Sequence, residues 1–232
     1  MSIAENVAKI LADIETAAVA AGRDPKEITL CAATKMNDAA RVREAIAAGV
    51  RCCGENRVQE LLSKYEQIDK SAKIHLIGQL QTNKVKYIID KVSLVHSLDR
   101  LSLAKELDAQ AKNRLNAPIE ALVEVNIGSE TTKCGVLPEN LTEYLDILRD
   151  FMYIKPRGLM TVAPAMATEA ELDMYFTKMQ QLLQDTQKAF GSEFNILSMG
   201  MSRDYATAIK HGSTMIRLGT ALFGERDYNR GI

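Results

Sequence analysis

The sequence predicts an α/β fold, a single (β/α)8 barrel of the TIM type with an extra helix at its N-terminus. Three observations carry that expectation. Eight short apolar runs alternate with stretches of helical period across 232 residues. No Pro-, Gly- or Ser-rich linker interrupts the alternation, so residues 1–232 read as one domain. The first run, Ile28 to Thr34, is continuously apolar, as a strand buried on both faces of a parallel sheet must be. An open doubly wound sheet is the alternative arrangement of the same units.

Ser2 and Glu5 stand at capping-box spacing, and Ile3, Val7, Ile10, Ile14 and Ala18 recur at helical period as far as Gly22, which predicts the opening helix. After Ile28–Thr34, the strand-like runs are Arg51–Gly54, Lys73–Gly78, Val92–Ser97, Ile119–Asn126, Ile154–Met160, Asn195–Met199 and Thr214–Leu218. Helical stretches lie near 38–48, 56–66, 99–114, 139–150 and 169–189. The last is the clearest, because Thr168 and Glu171 repeat the capping spacing ahead of an apolar stripe of Leu172, Phe176, Met179, Leu183 and Phe190.

Charge excludes some functions. Lys+Arg 29 against Asp+Glu 30 leaves a formal net charge of -1, so no global field recruits nucleic acid or an anionic membrane. Lys84, Lys86 and Lys91 read as a solvated helix face. The N-terminal helix carries Glu5, Lys9 and Asp13, which fits neither a signal peptide nor a membrane span. Four cysteines without a C-x-x-C pair, with Cys52 and Cys53 adjacent, suit neither a metal cluster nor a bridge, and point to a reducing, cytoplasmic setting. His75, His96 and His211 share no metal-ligand spacing, so no metal is expected.

In a barrel, reactive groups gather where strands end at their C-termini. Lys35 follows the first strand. An amine at the mouth of an apolar barrel is partly desolvated and can attack an aldehyde; the other reading is a strand-end lysine in solvent. Ser198-Met199-Gly200-Met201-Ser202 and Arg217-Leu218-Gly219-Thr220 put small and hydroxyl residues in the two loops where barrels commonly hold a phosphate. Glu55 and Arg57 flank Asn56 and are read as paired with each other or with a neighbouring loop, or as site residues. Lys133 reads as an exposed loop lysine, with a second, weaker aldehyde or phosphate contact as the alternative.

Several segments together resemble a known family. They are Ala33-Thr34-Lys35, Gly54-Glu55-Asn56-Arg57, His75 through Lys84, Val125-Asn126-Ile127-Gly128, Gly158-Leu159-Met160-Thr161, Ser198 through Ser202 and Gly212 through Thr220. In this order they resemble the pyridoxal phosphate homeostasis proteins (the YggS/PROSC family), which are similar to the barrel domain of bacterial alanine racemase. The resemblance implies pyridoxal 5'-phosphate (PLP) held as an imine on Lys35, with Asn56 near the ring, Met199 lining it, Arg217 facing the pyridine nitrogen, and the phosphate gripped by Ser202, Gly219 and Thr220. A guanidinium at that nitrogen disfavours its protonation and weakens the ring as an electron sink.

The resemblance further implies a cytoplasmic PLP buffer or donor to apo-enzymes, without robust turnover. An amino-acid racemase or related small PLP enzyme is the alternative. Racemisation needs acid/base groups on both faces of the substrate, and the alanine racemases take the second, a tyrosine, from an all-β domain. No such domain is read here, and no motif assigns that role to Tyr205 or Tyr228. Without its dimer-forming surface, the expected state is a monomer.

Overall fold

Eight parallel strands close into a barrel in chain order, each hydrogen-bonded to the next and the last to the first. They are β1 Thr29–Ala33, β2 Cys52–Glu55, β3 Lys73–Leu76, β4 Leu94–Leu98, β5 Ile119–Glu124, β6 Ile154–Met160, β7 Ile196–Ser198 and β8 Met215–Leu218. The structure is a computed structural model and describes residues 1–224. The expected closed barrel is therefore present, and an open sheet is not.

The helices are α1 Ile3–Ala20, α2 Ala39–Ala47, α3 Val58–Lys64, α4 Val85–Ile88, α5 Leu101–Gln110, α6 Leu141–Leu148, α7 Glu169–Phe190, α8 Tyr205–Lys210 and α9 Thr220–Phe223. Both capping boxes form: Ser2 N–H donates to Glu5 at 2.7 Å, and Thr168 N–H donates to Glu171 at 2.8 Å. The helix α5 runs on through a π turn, Ala111–Leu115, and stops at Asn116, whose φ of 50° tightens the exit. Helices α8 and α9 are too short to leave a periodic signal, and neither is among the helical stretches read from the sequence.

Helix α1 lies outside the repeat and seals the seam where β8 meets β1. It packs Ile3, Val7, Ile10, Ile14 and Ala18 toward α2, α8 and α9. Each large aliphatic side chain so buried contributes about 1.5–3 kcal/mol. Two polar ties fix its position: Asn6 Nδ2 donates to Leu222 O at 2.9 Å, and Arg23 Nη1 donates to Ser213 O at 2.7 Å.

Side chains alternate along each strand, so odd and even positions serve two different cores. The larger core fills the space between strands and helices, with Leu76, Val95, Val123, Leu159, Leu197 and Leu218 facing it. Inside the barrel a small cluster of Cys31, Cys52, Leu94, Leu122, Met160 and Met215 packs on itself. Barrel interiors are ordinarily filled by Val, Ile and Leu. Here thiols replace some of them, and the buried polar side chains of His75, His96, Ser198 and Arg217 lie at neighbouring strand positions.

Candidate functional site

At the C-terminal end of β1 the chain leaves the ladder through Thr34, whose N–H still donates to Gly54 O at 3.0 Å, and turns at the half-buried Lys35. Met36 adopts φ 61°, a left-handed conformation that costs a side chain strain and persists only when its surroundings hold it. Lys64, at the end of α3, does the holding. Its Nζ reaches Thr34 O at 2.9 Å, Asn37 O at 2.8 Å, Glu60 Oε1 at 3.0 Å and Glu55 Oε1 at 2.6 Å. The Thr34 hydroxyl donates to the same Glu55 oxygen. Burial pushes the Glu55 carboxyl above its usual range, and the Lys64 ammonium opposes that shift. Glu55 thus pairs with Lys64 behind the turn, not with Arg57 as the sequence permits.

One residue beyond β2, Asn56 holds its Oδ1 in a buried position without a hydrogen-bond partner among the described residues. The backbone of Asn56 is fixed by close contact with Gly78 after β3. A Cβ there would fall 2.3 Å from Asn56 O, so only glycine fits.

Arg217, on β8, is buried and spans the neighbouring strand ends. Its Nη1 donates to Ser198 O at 2.8 Å and to Ser198 Oγ at 2.6 Å, and its Nη2 donates to Thr161 O at 2.7 Å. Burial lowers its proton affinity, while Cys31, Glu124 and Asp204 favour the cation. Glu124, on β5, is pushed up to about 7, chiefly by burial and further by Asp99. Register sets Arg217 beside Cys31 of the strand that leads to Lys35.

The loop after β7 turns at Gly200, with φ 98° and a missing Cβ that would meet Ala208 Cβ at 2.7 Å. This brings Ser202 to the start of α9, where its Oγ receives Ala221 N–H at 3.5 Å. Gly219 rests against β1: a Cβ would meet Ala33 O at 3.4 Å, two residues before Lys35. Thr220 follows and is exposed.

Lys35, Asn56, Ser202, Gly219 and Thr220 therefore follow strands at one end of the barrel, and Arg217 lies near the end of β8. Met199 does not join them as a ring-lining side chain. It is fully buried in the outer core, on the same side as Leu197, while Ser198 between them faces inward. Lys133 pairs with Glu130 Oε2 at 2.5 Å, and Lys84 stands 5.8 Å from the Tyr87 ring centre. Tyr205 donates to Asp13 of α1 at 3.5 Å; Tyr228 lies outside the described residues. Sequence reasoning missed Lys64 and Thr34, which read as an ordinary helix residue and a strand residue, and it missed Glu124.

The fold also gathers residues that linear spacing separates. Cys31 and Cys52 are register partners, and both thiols lie within reach of His75. Cys52 donates to Cys31, holding the Cys31 thiol below its usual range and the Cys52 thiol above it.

Residues 6–227 match the alanine racemase N-terminal domain family. The chain is 43% identical to the pyridoxal phosphate homeostasis protein of Aquifex aeolicus (strain VF5), over 98% of this chain and all of the relative. That of Pseudomonas aeruginosa PAO1 is 41% identical over 98% and 97%. The chain belongs to the pyridoxal phosphate homeostasis protein family. Its fold is shared in detail with a family structure, PipY of Synechococcus elongatus PCC7942 solved with PLP bound, at a TM-score of 0.83 and 32% identity over 96% of this chain and 100% of that one. An alanine racemase from Clostridium difficile 630 shares the fold alone, at a TM-score of 0.73 and 17% identity over 97% of this chain and 57% of the racemase. No helix among the described residues is long and apolar enough to cross a membrane.

Proposed function

We propose that this member of the family binds pyridoxal 5'-phosphate at the C-terminal mouth of the barrel, holds it as an imine on Lys35, and serves as a cytoplasmic reserve and donor of the cofactor. The observation that carries this reading is the convergence of Lys35, the unpartnered Oδ1 of Asn56 and the buried Arg217 at strand ends of one mouth. Asn56 offers an acceptor for a ring hydroxyl. Ser202, Gly219 and Thr220 offer hydroxyls and backbone N–H groups to the phosphate, beside the strand that carries Lys35.

When bound, PLP supplies an electron-withdrawing ring, and Arg217 determines how strongly it withdraws. A guanidinium donates to a pyridine nitrogen without protonating it, so carbanion chemistry is poorly supported. Lys64 and Glu55 orient the turn of Lys35 without touching the cofactor. The names of the relatives, homeostasis proteins and not enzymes, support the same conclusion. The donor acts as a monomer and delivers PLP to apo-enzymes.

The PLP-loaded protein, mixed with an apo-aminotransferase, restores its activity, while single amino-acid enantiomers in deuterated water gain no label at Cα at enzymatic rates, on the order of one per second. Sustained exchange at that rate without donation to the apo-enzyme replaces the carrier with a racemase-like enzyme.

A further inference from the structure

Inside the barrel, below the mouth, Cys31 Sγ, Cys52 Sγ and a ring nitrogen of His75 all lie within 4.8 Å of one another. Cys52 Sγ and His75 Nδ1 are 3.3 Å apart. A second imidazole adjoins them, with His96 Nε2 at 3.0 Å from His75 Nδ1. We propose that Cys31, Cys52, His75 and His96 form a tetrahedral Zn2+ site in the interior of the barrel, separate from the PLP mouth.

Geometry supports the assignment. At metal–sulfur and metal–nitrogen distances of about 2.3 and 2.0–2.1 Å, tetrahedral donors sit roughly 3.3–3.8 Å apart. The separations of 3.3 Å between Cys52 Sγ and His75 Nδ1 and 3.0 Å between His75 Nδ1 and His96 Nε2 lie close to that range, and Cys31 is the register partner of Cys52 on the adjacent strand. Charge supports it as well. Two thiolates and Zn2+ sum to zero, which suits a site whose three nearest donors are 0%, 3% and 4% exposed. The donor set of two sulfurs and two imidazoles selects zinc over hard cations.

The outer shell is in place. His96 Nδ1 lies 3.2 Å from Ser198 Oγ, which also receives Arg217 Nη1. A proton on Nδ1 directed at that hydroxyl leaves the Nε2 lone pair facing His75, as metal-binding imidazoles require. Binding releases the two thiol protons to solvent and places the His75 proton on Nε2, freeing Nδ1. The proposal does not depend on PLP binding.

Because the donors are buried, metal enters most readily during folding. The full-length reduced chain, free of PLP, is refolded from urea with Co2+ as the probe. The expected result is an intense visible spectrum of tetrahedral cobalt with a near-ultraviolet thiolate band, saturating at one Co2+ per chain and abolished by one equivalent of Zn2+. Cys31→Ala and Cys52→Ala lose the thiolate band; Cys53→Ala and Cys134→Ala keep it. Wild-type protein gives an independent readout through alkylation, where Zn2+ protects Cys31 and Cys52 while Cys134 reacts at an unchanged rate. No thiolate band at stoichiometric Co2+, a band that survives loss of both Cys31 and Cys52, or alkylation unaffected by Zn2+ overturns the proposal.

Discussion

Lys64 Nζ stands 2.6 Å from Glu55 Oε1, and the two side chains are only 5% and 0% exposed. This pair is enclosed between the turn of Lys35 and the end of α3, so each charge depends on the other. Removing one partner of a buried pair leaves an uncompensated charge, which costs about 3–5 kcal/mol. Lys64→Met is therefore expected to lower stability by that amount in urea unfolding. Adding Glu55→Gln to it should restore part of the loss, since the fully buried orphaned carboxylate is then gone and only that of Glu60, 12% exposed, is left without its lysine. A double variant no more stable than Lys64→Met would show that the pair is not what orders this region.

Glu124 makes stability depend on pH. Its carboxyl is raised from 4.5 to about 7 by burial, with Asp99 adding to the effect and Arg217 opposing it. The folded state thus favours the protonated form. That contribution is fully present below about 4.5 and is lost as pH rises through about 7. Glu124→Gln stays neutral throughout, so it should gain about 2–3 kcal/mol on the wild type between pH 5 and pH 8. Urea unfolding of the PLP-free proteins checks this; a difference independent of pH would contradict it.

Ser202 and Thr220 should contribute to holding the phosphate while leaving the fold unchanged. Ser202→Ala and Thr220→Val are each expected to weaken PLP retention about tenfold, the loss of one charge-assisted hydrogen bond. Equilibrium dialysis measures the change and circular dichroism verifies the fold. Wild-type retention in both variants would remove the phosphate from this loop.

Arg217→Gln keeps a donor for one of the carbonyls of Ser198 and Thr161 but removes the positive charge. With the guanidinium gone, the PLP-loaded variant should form pyridoxamine phosphate from L-alanine several-fold faster than wild type. An unchanged rate would mean that the arginine does not govern the ring nitrogen.

The barrel was legible because its eight runs are apolar and its longest helices announce themselves with capping boxes at Ser2/Glu5 and Thr168/Glu171. Lys35 stands out in the sequence because it follows the predicted first strand, at the barrel end where reactive groups gather. Lys64 was not, since its role arises only when α3 folds back over β1, thirty positions earlier in the chain. The side of Met199 could have been read from strand parity: Leu197 and Met199 share the outer face, and Ser198 takes the inner one. The thiol and imidazole cluster escaped spacing rules because parallel register, not local sequence, joins Cys31 to Cys52 and brings His75 beside them. Metal motifs read along one segment do not detect thiols and imidazoles spread over four strands.

The proposed function rests on capture of an aldehyde by the Lys35 amine. Purified protein incubated with PLP, reduced with borohydride, digested and sequenced by mass spectrometry tests it directly. The expected result is a single reduced pyridoxyl phosphate adduct on Lys35, together with loss of the visible absorption band on reduction. Recovery of Lys35 unmodified, with the label on surface lysines or on none, contradicts it.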